Sequence, residues 1–164
     1  VKAEVANARF RGAGVDLDLD YGVSSIIGDR ALHAAPPVVI ELAACLLDGL
    51  HECGMAGVGK HFPGHGYIAA DSHLELPLDE RDLETIRSHD LEPFRALGPR
   101  LAAVMPAHVL YPQVDAQPAG FSSCWIRTIL RGDLEYAGAV VSDDLGMARA
   151  ACAGTLDERA LAAF

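Results

Sequence analysis

Four short apolar stretches recur along the chain, roughly forty residues apart, and each pair is separated by a segment patterned as a helix. This alternation is the strongest constraint on the fold. In the first stretch Val15, Leu17 and Leu19 alternate with Asp16, Asp18 and Asp20. The second is Ala56–Phe62, and the third and fourth span 101–105 and 139–141. Between them, 38–53 follows Pro36-Pro37, carries apolar residues at helical spacing and stops at Gly54. Residues 82–97 and 122–134 pattern as further helices, the latter capped by Ser122 or Ser123, and Thr155 caps another. Residues 1–13 pattern as a helix tail closed by Gly12 and Gly14, and the polar stretch 63–80 reads as a long loop. Strands that alternate with helices in this way form a parallel sheet with helical crossovers.

An open doubly wound sheet and a (β/α)8 barrel both satisfy the pattern. No GxGxxG follows the first strand, whereas ionisable residues crowd the C-terminal ends of all four: Asp20, then Lys60 and His61, then His108, then Asp143. A barrel assembles its chemistry at that end from several strands. A complete barrel has eight strands and about 250 residues, so the expected fold is α/β, a partial (β/α)8 TIM barrel of about four central βα units. On this reading residues 1–164 form a single incomplete domain without N- and C-terminal strands, both ends being cut from something longer.

Composition narrows the partners. Twenty-three acidic against thirteen basic side chains give a net charge of −10, with no basic run to neutralise a phosphate backbone, which argues against nucleic acid. No apolar run approaches the eighteen or so residues of a membrane span. Cys45, Cys53, Cys124 and Cys152 are widely spaced without a CxxC, and the N-terminus lacks the order of a signal peptide. A reducing, cytoplasmic location is the expectation.

Asp143 ends a short buried strand, where a carboxylate is held rigidly at the mouth of a barrel. Either it or Asp144 can instead cap the following helix, and two adjacent aspartates allow both roles. Asp71-Ser72-His73 sets a carboxylate beside an imidazole, a pair suited to proton transfer, in the loop directly after Lys60-His61-Phe62-Pro63-Gly64-His65-Gly66. Lys60 and His61 are donors at a strand end, and Arg30 in the first loop can reach the same mouth or pair locally with Asp29. Gly54 to Lys60 copies part of a phosphate-binding loop, but His61 stands where Ser or Thr is required and a strand follows where a helix should. The histidines His61, His65, His73 and His108 with Asp143 raise a metal-dependent hydrolase as an alternative, although no HxH or HExxH pair is present.

Taken in order, the Lys60–Gly66 heptapeptide, Asp71-Ser72-His73, Met105-Pro106-Ala107-His108-Val109 and Ser142-Asp143-Asp144-Leu145-Gly146-Met147 resemble the glycoside hydrolase family 3 β-N-acetylhexosaminidases of bacterial cell-wall recycling. The resemblance runs from about Val15 to Met147. It implies a retaining exo-β-N-acetylglucosaminidase with Asp143 as nucleophile, His73 as acid/base held by Asp71, and Arg30, Lys60 and His61 as sugar contacts. It further implies N-acetylglucosaminyl muropeptides as substrate, no metal or organic cofactor, and a monomer in the cytoplasm. The family's acidic residue for the sugar hydroxyls, and a further arginine, belong to strands preceding Val15. A truncated sugar-binding remnant without activity is the remaining alternative.

Overall fold

The computed structural model describes residues 12–69, 77–145 and 154–162. Its centre is a four-stranded, all-parallel sheet in the order β1 (Gly12–Asp16), β2 (Ala56–Phe62), β3 (Ala103–Pro106) and β4 (Ala139–Val140). Helix α1 (Pro36–Glu52) links β1 to β2, and α2 (Leu83–Ser88) and α3 (Leu91–Leu97) lie between β2 and β3. A π-helix, Cys124–Asp133, precedes β4, and α4 (Leu156–Ala162) follows it. Sequential parallel strands with helical crossovers are the repeating unit of a (β/α)8 barrel, and the chain supplies a partial barrel of four such strands. No helix among the described residues is long and apolar enough to cross a membrane.

Helix α1 begins with two prolines, whose missing N–H groups cost nothing in the first turn. It buries Val39, Ala43 and Leu47, which stand four residues apart and so share one face. Leu47 fills the space above Gly57 of β2, where a Cβ would overlap its Cδ2. Val15 and Leu17 point to this helical layer, and Asp16 and Asp18, one position out of phase, point the other way. Further along the same helical layer, Phe62 meets Phe94 and Trp125 edge-on at 5.3 and 6.0 Å, and Tyr111 packs on Trp125 at 4.9 Å.

Several elements depart from the sequence expectation. Gly12 and Ala13 belong to β1 rather than to a helix tail, because Gly14 serves as space for the Lys60 side chain and not as a helix stop; residues 1–11 lie outside the described residues. The helix expected over 82–97 is two helices. Asp82 caps the first through the Thr85 N–H (2.7 Å), and the chain breaks at His89-Asp90, where Asp90 is drawn inward by Arg81 and Tyr21. The helix at 122–134 is wound with i→i+5 bonds such as Leu134 N–H to Ile129 O, and the Ser122 hydroxyl accepts the Trp125 N–H at 3.1 Å. The third strand starts later than expected, since Gly98–Arg100 forms a 3-10 turn before it. Thr155 closes a capping box with Glu158: its N–H and hydroxyl donate to the carboxylate at 2.7 and 2.9 Å. Cys45, Cys53 and Cys124 are free thiols.

Candidate active site

Parallel strands deliver their C-terminal ends to one side of the sheet, and the ionisable residues gather there. Asp16 pairs in register with Lys60 of β2. The Lys60 ammonium lies 3.8 Å from Asp16 Oδ2, and the Arg30 guanidinium, carried by the 3-10 turn Gly28–Arg30, lies 3.4 Å from Oδ1. His61 Nδ1 is 3.7 Å from the same Oδ1. Thus the three expected sugar contacts, Arg30, Lys60 and His61, converge on one carboxylate. Lys60 reaches it by running across Gly14, where a Cβ would stand 2.8 Å from its Cε. Among the described residues the buried Oδ1 atom of Asp16 accepts no hydrogen bond, and its charge is answered by these longer ionic contacts.

Asp18 is fully buried and organises the second half of the cluster. Its Oδ2 takes His61 Nδ1 at 2.8 Å, its Oδ1 accepts the His65 N–H at 2.7 Å, and the His61 N–H straddles both oxygens at 3.3 and 3.4 Å. Burial pushes the carboxyl up, but the His61 hydrogen bond and charge and the His65 amide outweigh it and hold Asp18 below its ordinary range. The ladder shifts between Lys60 and Phe62, where the Lys60–His61 and Phe62–Pro63 peptide bonds are cis. His65 is buried with its ring edge-on to His61 at 5.9 Å, and His108, at the end of β3, stacks on Phe121 at 5.1 Å.

Asp143 is partly exposed just beyond the C-terminal end of β4. One of its oxygens accepts the N–H of Asp144 at 2.8 Å, so it turns the backbone locally while remaining open to solvent. It stands two strand spacings from β2, about 10 Å in a flat sheet. Among the described residues it makes no hydrogen bond or ion pair with Arg30, Lys60 or His61. The expected acid/base pair, Asp71 and His73, lies outside the described residues.

Sequence reasoning missed Asp16 and Asp18 as site residues and placed Asp20 as the ionisable residue at the end of the first strand. Asp20 is exposed and accepts the Gly22 N–H at 2.8 Å, an Asx turn at the strand exit. The alternation of Asp with buried leucine held the signal: when one face of a barrel strand packs on helices, the other faces the barrel interior. Asp16, Asp18 and His61 also form the only group among the described residues close enough to hold a metal ion, with ligand atoms within 4.8 Å. Lys60 and Arg30 already neutralise Asp16, and Asp18 is committed to three N–H donors, so a cation there would displace existing partners and the group fits a metal poorly. A cleft of about 710 Å³ lined by Arg95, Leu101, Asp133, Tyr136 and Gly138 opens near the N-terminal ends of β3 and β4, away from these residues.

Residues 15–164 match the glycosyl hydrolase family 3 N-terminal domain. A β-hexosaminidase of Nitrosospira multiformis is 56% identical over 163 residues, covering 95% of this chain and 47% of its own length. The crystal structure of NagZ from Neisseria gonorrhoeae in complex with N-trifluoroacetyl-D-glucosamine superposes with a TM-score of 0.83 at 49% identity, over 91% of this chain and 42% of that one. A family 3 β-N-acetylglucosaminidase from Paenibacillus superposes with a TM-score of 0.87 at 35% identity, over 93% of this chain and 30% of that one. The chain spans about half the length of the curated relatives it matches. With the family match running through the sheet and every strand-end residue described above, the chain belongs to glycosyl hydrolase family 3, within its N-terminal domain.

Proposed function

We propose that this chain carries much of the active site of a retaining exo-β-N-acetylglucosaminidase. The observation that carries the reading is the convergence of Arg30, Lys60 and His61 on Asp16, at the same sheet end as Asp143. Donors so arranged suit the hydroxyls and amide of a sugar. The Neisseria relative binds N-trifluoroacetyl-D-glucosamine, which supports an N-acetylglucosamine glycone.

In the proposed cycle an Asp143 oxygen attacks the anomeric carbon as the glycosidic C–O bond breaks, and protonated His73 gives its proton to the departing oxygen. A glycosyl-aspartate ester results. Neutral His73 then takes a proton from water, whose oxygen displaces Asp143 from the anomeric carbon; the configuration is retained and His73 is again protonated. Asp71 orients the imidazole and stabilises its charged form. Lys60, Arg30 and His61 hold the glycone, with Asp18 fixing the His61 ring. The resemblance extends the reading to N-acetylglucosaminyl muropeptides as substrate, acted on by a monomer in the cytoplasm during peptidoglycan recycling, without a metal or organic cofactor.

The test is release of 4-nitrophenol from its β-N-acetylglucosaminide by this chain set in a complete barrel of the relatives' length. Asp143→Ala should abolish turnover, azide should restore it in Asp143→Gly, and a chelator should change nothing. Full activity in Asp143→Ala would contradict the assignment, and loss on chelation restored by metal would favour the metal-dependent alternative.

A further inference from the structure

Away from the sugar contacts, Arg81 has all five guanidinium N–H groups engaged inside the protein, and the proposed cycle does not use it. Nε and Nη2 grip Asp79 at 2.7 to 3.1 Å, and Nη1 and Nη2 grip Asp90 at 2.9 and 3.2 Å. Nη1 also donates to the Tyr21 hydroxyl at 3.0 Å, and that hydroxyl donates on to Asp90 at 3.0 Å. The guanidinium carbon lies 4.2 Å from the Tyr67 ring centre and 4.9 Å from that of Tyr21, and the two rings meet edge-on at 5.3 Å. Asp79 and Asp90 are buried, and Arg81 nearly so. Asp90 in turn fills the space beside Gly64, 2.7 Å from where a Cβ would stand.

These contacts meet at the two roots of one segment. Tyr67 is on the outgoing root and Asp79 on the returning one, and His73 is six positions from each. The returning root is also pinned to the β3 exit: the Asp79 N–H donates to Leu110 O at 2.9 Å and the Leu110 N–H to Pro77 O at 3.0 Å. One cation thus fastens both roots to each other, to the β1 exit through Tyr21 and to the α2–α3 junction through Asp90. A lysine cannot reproduce this, having one point charge where two carboxylates and two rings need a planar fork.

We propose that Arg81 is a positioning residue for the proton-transfer step, through its hold on Tyr67 and Asp79, the two described roots of the segment that carries His73. This rests on the reading of His73 as acid/base. Displacement by about 1 Å is enough to cost such a group most of its effect. The consequence depends on the leaving group. A 2,4-dinitrophenolate departs without a proton, whereas a sugar alkoxide must be protonated as the bond breaks.

The experiment compares kcat/KM for 2,4-dinitrophenyl β-N-acetylglucosaminide and for an N-acetylglucosaminyl disaccharide, in the complete barrel, for wild type, His73→Ala, Arg81→Lys and Tyr67→Leu. Arg81→Lys should lose at least about tenfold more activity on the disaccharide than on the aryl glycoside, in the manner of a misplaced general acid. Tyr67→Leu keeps the ion pairs and should show the same bias more weakly, which retains the test if Arg81→Lys fails to fold. Equal losses on both substrates in folded variants, with the bias present in His73→Ala, would overturn the proposal alone. A wild type that hydrolyses neither substrate would overturn the reading of the site, and the proposal with it.

Discussion

With no exposed surface, the Asp18 carboxylate depends wholly on His61 and the His61 and His65 amides for the hydration it has lost. Its folded pKa is depressed, so its contribution is complete above the unfolded value of about 3.9 and disappears as pH falls through the folded value. Asp18→Asn should therefore lower the unfolding free energy by about 2 kcal/mol at pH 7 and by much less at pH 3, read by urea denaturation at both. Asp90 runs the other way. Burial raises its pKa despite Arg81 and Tyr21, so falling pH relieves a cost there instead of removing a gain. Lys60 yields a separate prediction: Gly14→Ala would push its flexible end off Asp16, raising KM severalfold while unfolding free energy changes by less than about 1 kcal/mol. Steady-state kinetics and denaturation together check it. Lys60 and His61 were legible because charged residues at strand ends have few structural reasons to be there, whereas Arg30 stood in the first loop, where a local pairing with Asp29 was equally open. Asp16 and Asp18 were not legible, because their alternation was spent on identifying the strand.

Between α1 and β2 the packing leaves no room for adjustment on the strand side. A Cβ at Gly57 would overlap the buried Leu47, so Gly57→Ala should destabilise by about 1–3 kcal/mol. Leu47→Ala alone should cost about 2–5 kcal/mol through its cavity. Combined, the two should cost less than their sum, since the added methyl occupies space the leucine vacates; strict additivity in a denaturation cycle would contradict this packing. Helix α1 was read closely from its proline start and glycine stop because both signals are local. The break between α2 and α3 was not, since apolar spacing continues through it and the cause is tertiary, the pull of Arg81 and Tyr21 on Asp90. The bridge between Leu78 and Leu110 was not legible in the polar stretch 63–80, since it depends on a partner over thirty residues away.

Across the whole molecule, parallel strands place separated sequence motifs at one end of a sheet, so spacing alone could indicate that Lys60, His61, His108 and Asp143 share a rim. Strand β1 is an edge of the described sheet, and Leu42 and Leu46 on the neighbouring helix are 42% and 49% exposed. A closed barrel leaves neither condition. The isolated chain should consequently bind a hydrophobic dye more strongly and exchange its outward β1 amides faster than the same residues in a complete barrel, by fluorescence and hydrogen exchange. The central claim is that Asp143 forms a bond to the sugar. Incubating the complete barrel with a 5-fluoro N-acetylglucosaminyl fluoride, which slows release of the intermediate, and digesting it for mass spectrometry tests this most directly. The account predicts a fluorinated N-acetylglucosaminyl adduct on the peptide containing Asp143, absent in Asp143→Ala; an active enzyme with no adduct, releasing sugar of inverted configuration, would contradict it.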